Sequence, residues 1–318
     1  MATLEAPTID EIQVARERIR GAVVRTPLVR LNVDDGPGEI WLKLENLQPI
    51  GSFKLRGATN AMRLAGPERL AGGVYTASAG NMAQGVAWSA RQIGVPAAVV
   101  VPEHAPATKI AAIERLGGRV VKVPFERWWQ VIREHRYPGL DGLFIHPVAD
   151  RGVMAGNGTI GLEILEDLPD VDAVLVPFGG GGLSCGIAAA VKASRPEIRV
   201  LGCEVETAAP LQASLAAGAE REVEYRPSFV DGIGGKSLLP EMWPIVRRLL
   251  DGSRVVSLAE IAAAIRLLAE RNRVIAEGAG AAAVAAALAS RGGKVVCIVS
   301  GGNIDAAKLA TILQGGVP

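Results

Sequence analysis

The longest glycine run of the chain is Gly179-Gly180-Gly181-Gly182, here called the tetraglycine loop. It follows the apolar run 174–178 and precedes a helix predicted to begin at Leu183. Glycines let the backbone approach a ligand closely, and the free N–H groups at a helix start favour an anion. A simple turn does not need four glycines. The loop therefore predicts a phosphate site.

Two nucleotide-binding motifs fit the chain poorly. A dinucleotide fingerprint needs a glycine at its sixth position, where this chain has Ser184 or Cys185. Residues 234–237 resemble the end of a P-loop, but Val230 stands at the position of the leading glycine. A nucleotide-binding α/β protein without catalysis is therefore only a remote alternative.

A hydrolase motif also overlaps the tetraglycine loop, because residues 182–186 satisfy Gly-x-Ser-x-Gly. In hydrolases that carry this motif, the catalytic histidine follows the nucleophilic serine along the chain. The three histidines, His104, His135 and His146, all precede Ser184. This order argues against a hydrolase, and Ser184 is interpreted as a residue of the first helical turn.

Polar residues also follow other strand-like runs. Ser78-Ala79-Gly80-Asn81 follows one run, and Ser300-Gly301-Gly302-Asn303 follows the last. Near the start of the chain, Lys54 follows Phe53. A neutral lysine amine is a nucleophile, and an apolar neighbour such as Phe53 helps to keep it neutral. Lys54 is therefore a candidate nucleophile, although a lone lysine is most often a surface residue.

Strand-like runs alternate with helical patterns along the chain. Most of the strand runs are continuously apolar, as expected for strands buried on both faces. They are residues 40–44, 74–77, 97–101, 119–123, 143–146, 173–178, 200–205 and 295–299. The helical patterns are residues 81–93, 108–116, 159–168, 183–194 and 306–313, and capping boxes at 8–11 and 257–260 open two more helices. Together they predict an α/β protein with parallel-rich sheets covered by helices.

Composition excludes several function classes. The chain has 34 basic and 33 acidic side chains and no charged block, so nucleic acid and membrane surfaces are poor candidate partners. Cys185, Cys203 and Cys297 lie far apart without a Cys-x-x-Cys pair, which favours a reducing cytoplasm over a zinc site. Residues 1–20 lack the pattern of a secretory signal, and the apolar run 279–289 is too short to span a bilayer. A cytoplasmic location is expected.

Taken in order, the motifs resemble those of the threonine/serine dehydratases, which belong to the second fold type of pyridoxal-phosphate enzymes (tryptophan synthase beta-like). The resemblance extends from residue 26 to residue 305. The segments that carry it are residues 45–48, 52–57, 78–85 and 154–159, the tetraglycine loop with Leu183, Asp231-Gly232, and residues 300–303. Serine racemase, threonine synthase and cysteine synthase belong to the same group.

The resemblance implies a two-lobed architecture with the cofactor between the lobes. Residues 1–65 and 152–318 would form a large cofactor-binding domain. Residues 72–146 would form a smaller substrate-binding domain inserted into it. A homodimer is the assembly that the resemblance suggests.

The resemblance also implies residue roles toward pyridoxal 5'-phosphate. Lys54 would hold the cofactor as a Schiff base and later remove the Cα proton as a general base. Asn81 would donate to the 3-oxygen of the ring, and Ser300 would face its nitrogen and leave it largely unprotonated. The tetraglycine loop and the N–H of Leu183 would hold the phosphate. Phe53, Gly232 and Glu277 match positions that line the cofactor.

The implied reaction is β-elimination on an amino acid. The segment 54–57 reads Lys-x-Arg-Gly, as in dehydratases, rather than the Lys-Asp-Arg of synthases. The favoured substrates are L-threonine and L-serine, converted to a 2-oxo acid and ammonia. Two alternatives stay open: β-replacement, and dehydration of a bulkier 3-hydroxy amino acid such as 3-hydroxyaspartate or phenylserine. The residues expected to hold the substrate are Ser78, Ala79, Gly80, Asn81 and Met82.

Some positions depart from the family pattern. Ala79 replaces the serine that racemases use as acid and base on the opposite face, so racemisation is expected to be weak. Met82 stands where a histidine is common, and Glu277 is followed by glycine rather than proline. Pro210 cannot supply the carboxylate that the divalent-metal site of some relatives needs, so no metal is expected there. The adjacent pair Trp128-Trp129 suggests either packing or a larger substrate pocket.

Overall fold

The computed structural model describes residues 4–34, 36–290 and 292–318, and its strands form two sheets. Residues 1–3, 35 and 291 of the expected large domain lie outside the described residues. The strands are β1 (Leu28–Arg30), β2 (Glu39–Lys43), β3 (Val74–Ala77), β4 (Ala97–Pro102), β5 (Gly118–Val123), β6 (Leu143–Phe144), β7 (Ala173–Pro177), β8 (Arg199–Val205), β9 (Gly252–Val256) and β10 (Lys294–Ile298).

Helices cover the sheets and make most of the connections between strands. They are α1 (Ile9–Ile19), α2 (Lys54–Leu70), α3 (Asn81–Ile93), α4 (Ala107–Arg115), α5 (Phe125–Glu134), α6 (Arg151–Asp167), α7 (Gly182–Ser194), α8 (Pro210–Ala217), α9 (Trp243–Leu249), α10 (Leu258–Leu267), α11 (Gly278–Leu288) and α12 (Ala306–Leu313). In the part of the chain that the structure describes, no helix is both long enough and apolar enough to cross a membrane.

The larger sheet has six strands in the order β1-β2-β10-β7-β8-β9, and every pair except β1 with β2 is parallel. Its central strand β7 is buried along its whole length. Val174 and Val176 belong to the core with α6 and α7, whereas Leu175 belongs to the core with α10 and α11. The continuously apolar run was therefore correctly read as a strand covered on both faces.

The smaller sheet has four parallel strands in the order β5-β4-β3-β6. Val74 packs in one core with residues of α3, and its neighbour Tyr75 packs in another with residues of α5. All four strands fall within residues 72–146, and the strands of the larger sheet fall outside that range. This distribution supports the proposal that residues 72–146 form the smaller lobe.

Several helices differ from the sequence pattern. Helix α6 begins at Arg151, eight residues before the predicted start at residue 159. The side chain of Asp150 caps the helix there by accepting the N–H of Val153 at 2.8 Å. The glycines that obscured this helix allow close packing: a Cβ on Gly156 would lie 2.5 Å from the carbonyl oxygen of Arg56. Helices α2, α5, α8, α9 and α11 were not predicted at all.

A buried ion cluster lies behind the start of α2. The Arg56 guanidinium donates to both carboxylate oxygens of Glu45 at 2.8 Å and to those of Glu163 at 2.6 and 2.9 Å. The Lys43 ammonium lies 2.7 Å from Glu163, and its side chain is fully buried. Burial opposes ionisation of Glu45, but the charge and hydrogen bonds of Arg56, the hydroxyl of Thr26 and the charge of Lys43 together lower the pKa of that carboxyl. The cluster fixes α2 to α6 and to the segment after β2.

Candidate active site

A cleft of about 340 Å³ is lined by the segments that follow β3, β7 and β10. Each residue that the sequence analysis proposed for cofactor or substrate binding lies on its wall. These residues are Phe53, Lys54, Ser78, Ala79, Gly80, Asn81, Met82, Gly179, Gly180, Gly181, Gly182, Leu183, Gly232, Glu277 and Ser300. The structure therefore brings the predicted set together, while the role of each residue stays a prediction.

Lys54 is the first residue of α2, and its side chain reaches into the cleft. Its Nζ donates to the carbonyl oxygen of Pro147 at 2.8 Å and lies 5.2 Å from the centre of the Phe53 ring. Burial lowers the pKa of the Lys54 amine to about 8, although the charge of Glu277 opposes this shift. The neutral fraction of the amine near neutral pH is therefore larger than for an exposed lysine, and the neutral form is the one that acts as a nucleophile or a base.

The position of Lys54 depends on backbone contacts with the end of β10. Ser52 and Gly301 form an antiparallel bridge, and the N–H of Phe53 donates to the carbonyl oxygen of Ser300 at 3.0 Å. Ser300 itself is 3% exposed and lines the cleft. Lys54 and Ser300 are 246 positions apart in sequence. These backbone contacts bring them together in one site.

The tetraglycine loop connects β7 to α7 and forms a narrow cradle. Gly181 has a φ of +95°, which residues with a side chain rarely adopt. A Cβ on Gly180 would lie 2.7 Å from Cγ1 of Val148, and one on Gly182 would lie 2.9 Å from the carbonyl oxygen of Val148. The glycines therefore make room for a ligand at the N-terminus of α7, where free N–H groups and the helix dipole favour an anion.

Replacing Gly182 with alanine is expected to weaken binding of a phosphorylated ligand about tenfold, because the backbone of Val148 must shift away from the new methyl group. The readout is a titration of the apoprotein with pyridoxal phosphate, followed by visible absorbance. Gly235→Ala is the matched control, since only one atom, at 3.9 Å, would face its added Cβ. Equal affinity in both variants would contradict a phosphate seat at this loop.

A chain of side-chain hydrogen bonds orients Asn81 at the start of α3. Its Nδ2 donates to Glu277 Oε1 at 2.8 Å, and its Oδ1 accepts from Asn303 Nδ2 at 2.7 Å. Burial and the charge of Asp231 raise the pKa of Glu277 to about 7, against the hydrogen bond from Asn81. The amide of Asn81 keeps a second N–H to donate to a ligand. Asn303 has no role predicted from the sequence, although it lies in the motif 300–303.

The turn 146–149 is a second feature that the sequence analysis missed. Nδ1 of the buried His146 accepts the N–H groups of Val148 at 2.9 Å and of Ala149 at 2.7 Å. Burial and the charge of His135 lower the pKa of His146 to about 3, so its ring is neutral at ordinary pH. His146 thereby fixes the turn whose Pro147 carbonyl accepts from Lys54. A histidine followed by a proline in the sequence does not indicate that the ring will accept backbone N–H groups of the turn.

The donor set of the cleft fits a phosphorylated carbonyl compound. An anion cradle, a partly neutral amine and an amide donor line it together. The model of the pyridoxal-phosphate dependent enzyme family matches residues 19–301. The chain belongs to this family. It is thus a pyridoxal-phosphate dependent enzyme, and a nucleotide-binding protein without catalysis is excluded.

Similar proteins give the family more detail. The chain is 42% identical over 318 residues to an L-threonine ammonia-lyase of Thermotoga maritima, covering 98% of this chain and 79% of the relative. It is 40% identical over 313 residues to a catabolic L-threonine dehydratase of Escherichia coli, covering 96% of this chain and 95% of the relative. These relatives are matched over most of their length.

Solved structures of this family share the fold. The processed form of threonine deaminase isoform 2 from Solanum lycopersicum has a TM-score of 0.86 at 32% identity, covering 99% of this chain and 91% of that one. The maize serine racemase has a TM-score of 0.85 at 33% identity, covering 98% of both chains. The prediction of a fold type II pyridoxal-phosphate enzyme is confirmed.

One side-chain group in the described part of the chain has metal-like spacing. The ligand atoms of His135, His146 and Glu241 lie within 4.8 Å of one another. However, Nδ1 of His146 accepts two backbone N–H groups, so the hydrogen of the neutral ring is on Nε2. That nitrogen has no lone pair to offer a cation. The group is therefore a poor metal site.

The segment after β8 contains Pro210, where the sequence predicts no metal. The carboxylate of the buried Glu204 at the end of β8 accepts hydrogen bonds from the protein itself. It accepts from the N–H of Leu211 at 2.7 Å, the N–H of Gln212 at 2.8 Å and the hydroxyl of Ser253 at 2.7 Å. Glu204 thus caps α8, and the absence of a metal there stays a prediction.

Proposed function

We propose that this enzyme is a dehydratase that converts L-threonine, L-serine or both to a 2-oxo acid and ammonia. The observation that carries the proposal is the Lys54 amine, held in the cleft with its pKa lowered to about 8. The similarity to L-threonine ammonia-lyases over 98% of the chain supports it. The Lys-x-Arg-Gly pattern at 54–57 favours elimination over replacement.

The residues of the cleft can supply the acid and base chemistry of this reaction. When bound, pyridoxal phosphate withdraws electrons from the Cα atom of the attached amino acid. The tetraglycine loop would seat its phosphate, Asn81 would donate to its ring oxygen, and Ser300 would face its ring nitrogen. Neutral Lys54 would take up the Cα proton, and the Pro147 carbonyl is placed to orient the resulting ammonium.

The start of α3 is suited to hold the substrate carboxylate. Helix α3 begins at Asn81, and the first N–H groups of a helix have no partner within it. The Ser78 hydroxyl lies beside this helix start, where its Oγ accepts the N–H of Gly80 at 3.2 Å. The methyl group of Ala79 cannot exchange a proton on the opposite face. We therefore propose that racemisation is weak even though a serine racemase has the same fold.

The proposal predicts that the holoenzyme releases a 2-oxo acid from threonine or serine. The measurement compares keto-acid formation from threonine, serine, 3-hydroxyaspartate and phenylserine, with ammonia determined in parallel. Chiral chromatography of residual serine reports racemisation. An enzyme with the cofactor bound that releases keto acid from none of the four would contradict elimination and favour β-replacement.

We also propose a cytoplasmic homodimer. In the described residues the three cysteines are free and buried, which is compatible with a reducing compartment. Leu47 is 51% exposed and Ile275 is 40% exposed, and the side chain of Asn46 joins their segments by donating to the carbonyl oxygen of Ile275. A second copy of the chain packed on these segments would remove both apolar side chains from water.

A further inference from the structure

The aromatic side chains at the start of α5 form part of the active-site cleft. Phe125 and Trp128 are separated by three positions on the helix, so they share a face, and both line the cleft. Their ring centres are 5.6 Å apart. Phe125 is 49% exposed and lines the cleft, so its ring is accessible to a ligand there. Trp129 is 38% exposed and lies outside the set of described residues that line the cleft.

Other apolar residues line the same cleft, among them Ala79, Met82, Pro102 and Ile233. Met82 is 1% exposed because most of its side chain packs in the core of the smaller sheet. An apolar wall of this kind favours a ligand group that gives up little hydration on entering.

Two of the charged side chains that line the cleft neutralise each other. Nζ of Lys109 donates to Oδ2 of Asp231 at 2.6 Å. Among the described residues that line the cleft, the other charged side chains are Lys54 and Glu277, which belong to the reaction centre. A substrate with a second carboxylate would therefore have to break the Lys109 pair. This disfavours 3-hydroxyaspartate.

We propose that Phe125 and Trp128 form the subsite for the C3 substituent of the substrate, and that the enzyme prefers 3-hydroxy amino acids with a bulky aryl group at C3. The inference rests on the proposed dehydratase function. For 3-phenylserine, the Cα–H bond breaks and Lys54 takes the proton, the Cβ–O bond breaks and the hydroxyl leaves as water, and hydrolysis returns one water. The products are phenylpyruvate and ammonia, so no oxidant or reductant is needed.

The first test compares kcat/KM for L-threo-3-phenylserine and L-serine with the holoenzyme. We expect phenylserine to be preferred about tenfold or more, since filling an apolar pocket changes specificity by about 10- to 200-fold per group. Trp128→Leu and Phe125→Ala should each reduce this ratio about tenfold or more. Trp129→Ala is the matched control and should change the ratio less than about twofold. The use of two variants guards against loss of folding in Trp128→Leu.

The second test measures binding rather than turnover. L-phenylalanine and L-alanine lack a 3-hydroxyl group and cannot lose water, so their dissociation constants are read from the visible spectrum of the holoenzyme. L-phenylalanine should bind about tenfold more tightly than L-alanine in the wild type, and the difference should disappear in Trp128→Leu. This result supports the subsite even if no hydroxy amino acid yields a keto acid, the outcome that would refute the dehydratase function alone.

Two results would overturn the subsite. One is a wild type that treats phenylserine no better than serine or 3-hydroxyaspartate and binds L-phenylalanine no more tightly than L-alanine. The other is a preference for phenylserine that Trp129→Ala reduces as much as Trp128→Leu does. Of these two tryptophans, Trp128 is the one that lines the cleft.

Discussion

Replacing Lys54 with alanine is expected to remove the visible absorption band of the holoenzyme and to lower 2-oxo acid formation by at least about a thousandfold, since both covalent attachment and base catalysis depend on its amine. Borohydride should remove the band of the wild type as well. The measurements are an absorbance scan and a keto-acid assay at saturating pyridoxal phosphate. The fold should persist, because alanine avoids burying an amine whose pKa is lowered to about 8 by burial.

The matched control for this prediction is Lys122→Ala, in which an exposed lysine of β5 is removed. It should keep both the band and the activity. Thermal unfolding followed by circular dichroism separates loss of the cofactor link from loss of the fold. A Lys54→Ala protein that keeps a band sensitive to borohydride would assign the attachment to another lysine.

Replacing Arg56 with methionine is expected to destabilise the protein by about 3–5 kcal/mol, because it leaves the carboxylates of Glu45 and Glu163 buried without their main partner. The free energy of unfolding is measured by urea denaturation of the apoprotein. Since the folded state lowers the pKa of Glu45, its contribution is present above the unfolded-state pKa and is lost as the pH falls through the folded-state value. The wild type should therefore lose stability in acid.

Arg25→Met is the control for the buried cluster. Arg25 pairs with Glu166 and Asp167, but its side chain is 49% exposed, so its loss should cost less than about 1 kcal/mol. If both variants lost the same stability, the cluster around Arg56 would have no special role. Arg56 would then matter only as a residue of the motif that contains Lys54.

Local patterns supported predictions for features that depend on residue type and immediate neighbours. The tetraglycine loop predicted an anion seat because four glycines before a helix leave N–H groups free. Buried strands such as β7 followed from continuous apolar runs. Helix α6 was predicted too short because its glycines are helix breakers by propensity, and their packing against α2 is visible only in three dimensions.

The sequence alone predicted the α/β fold class, which is confirmed, because apolar runs and their order along the chain carry that information. It also singled out Lys54 and the tetraglycine loop, whose roles stay predictions. Only the tertiary structure decided what surrounds them. The pKa of Lys54 depends on how deeply its amine is buried. The turn after β6 depends on hydrogen bonds to the ring of His146. Trp128 lines the cleft and Trp129 does not, because the two side chains leave α5 in different directions. Each of these depends on contacts between segments distant in sequence, which no local pattern encodes.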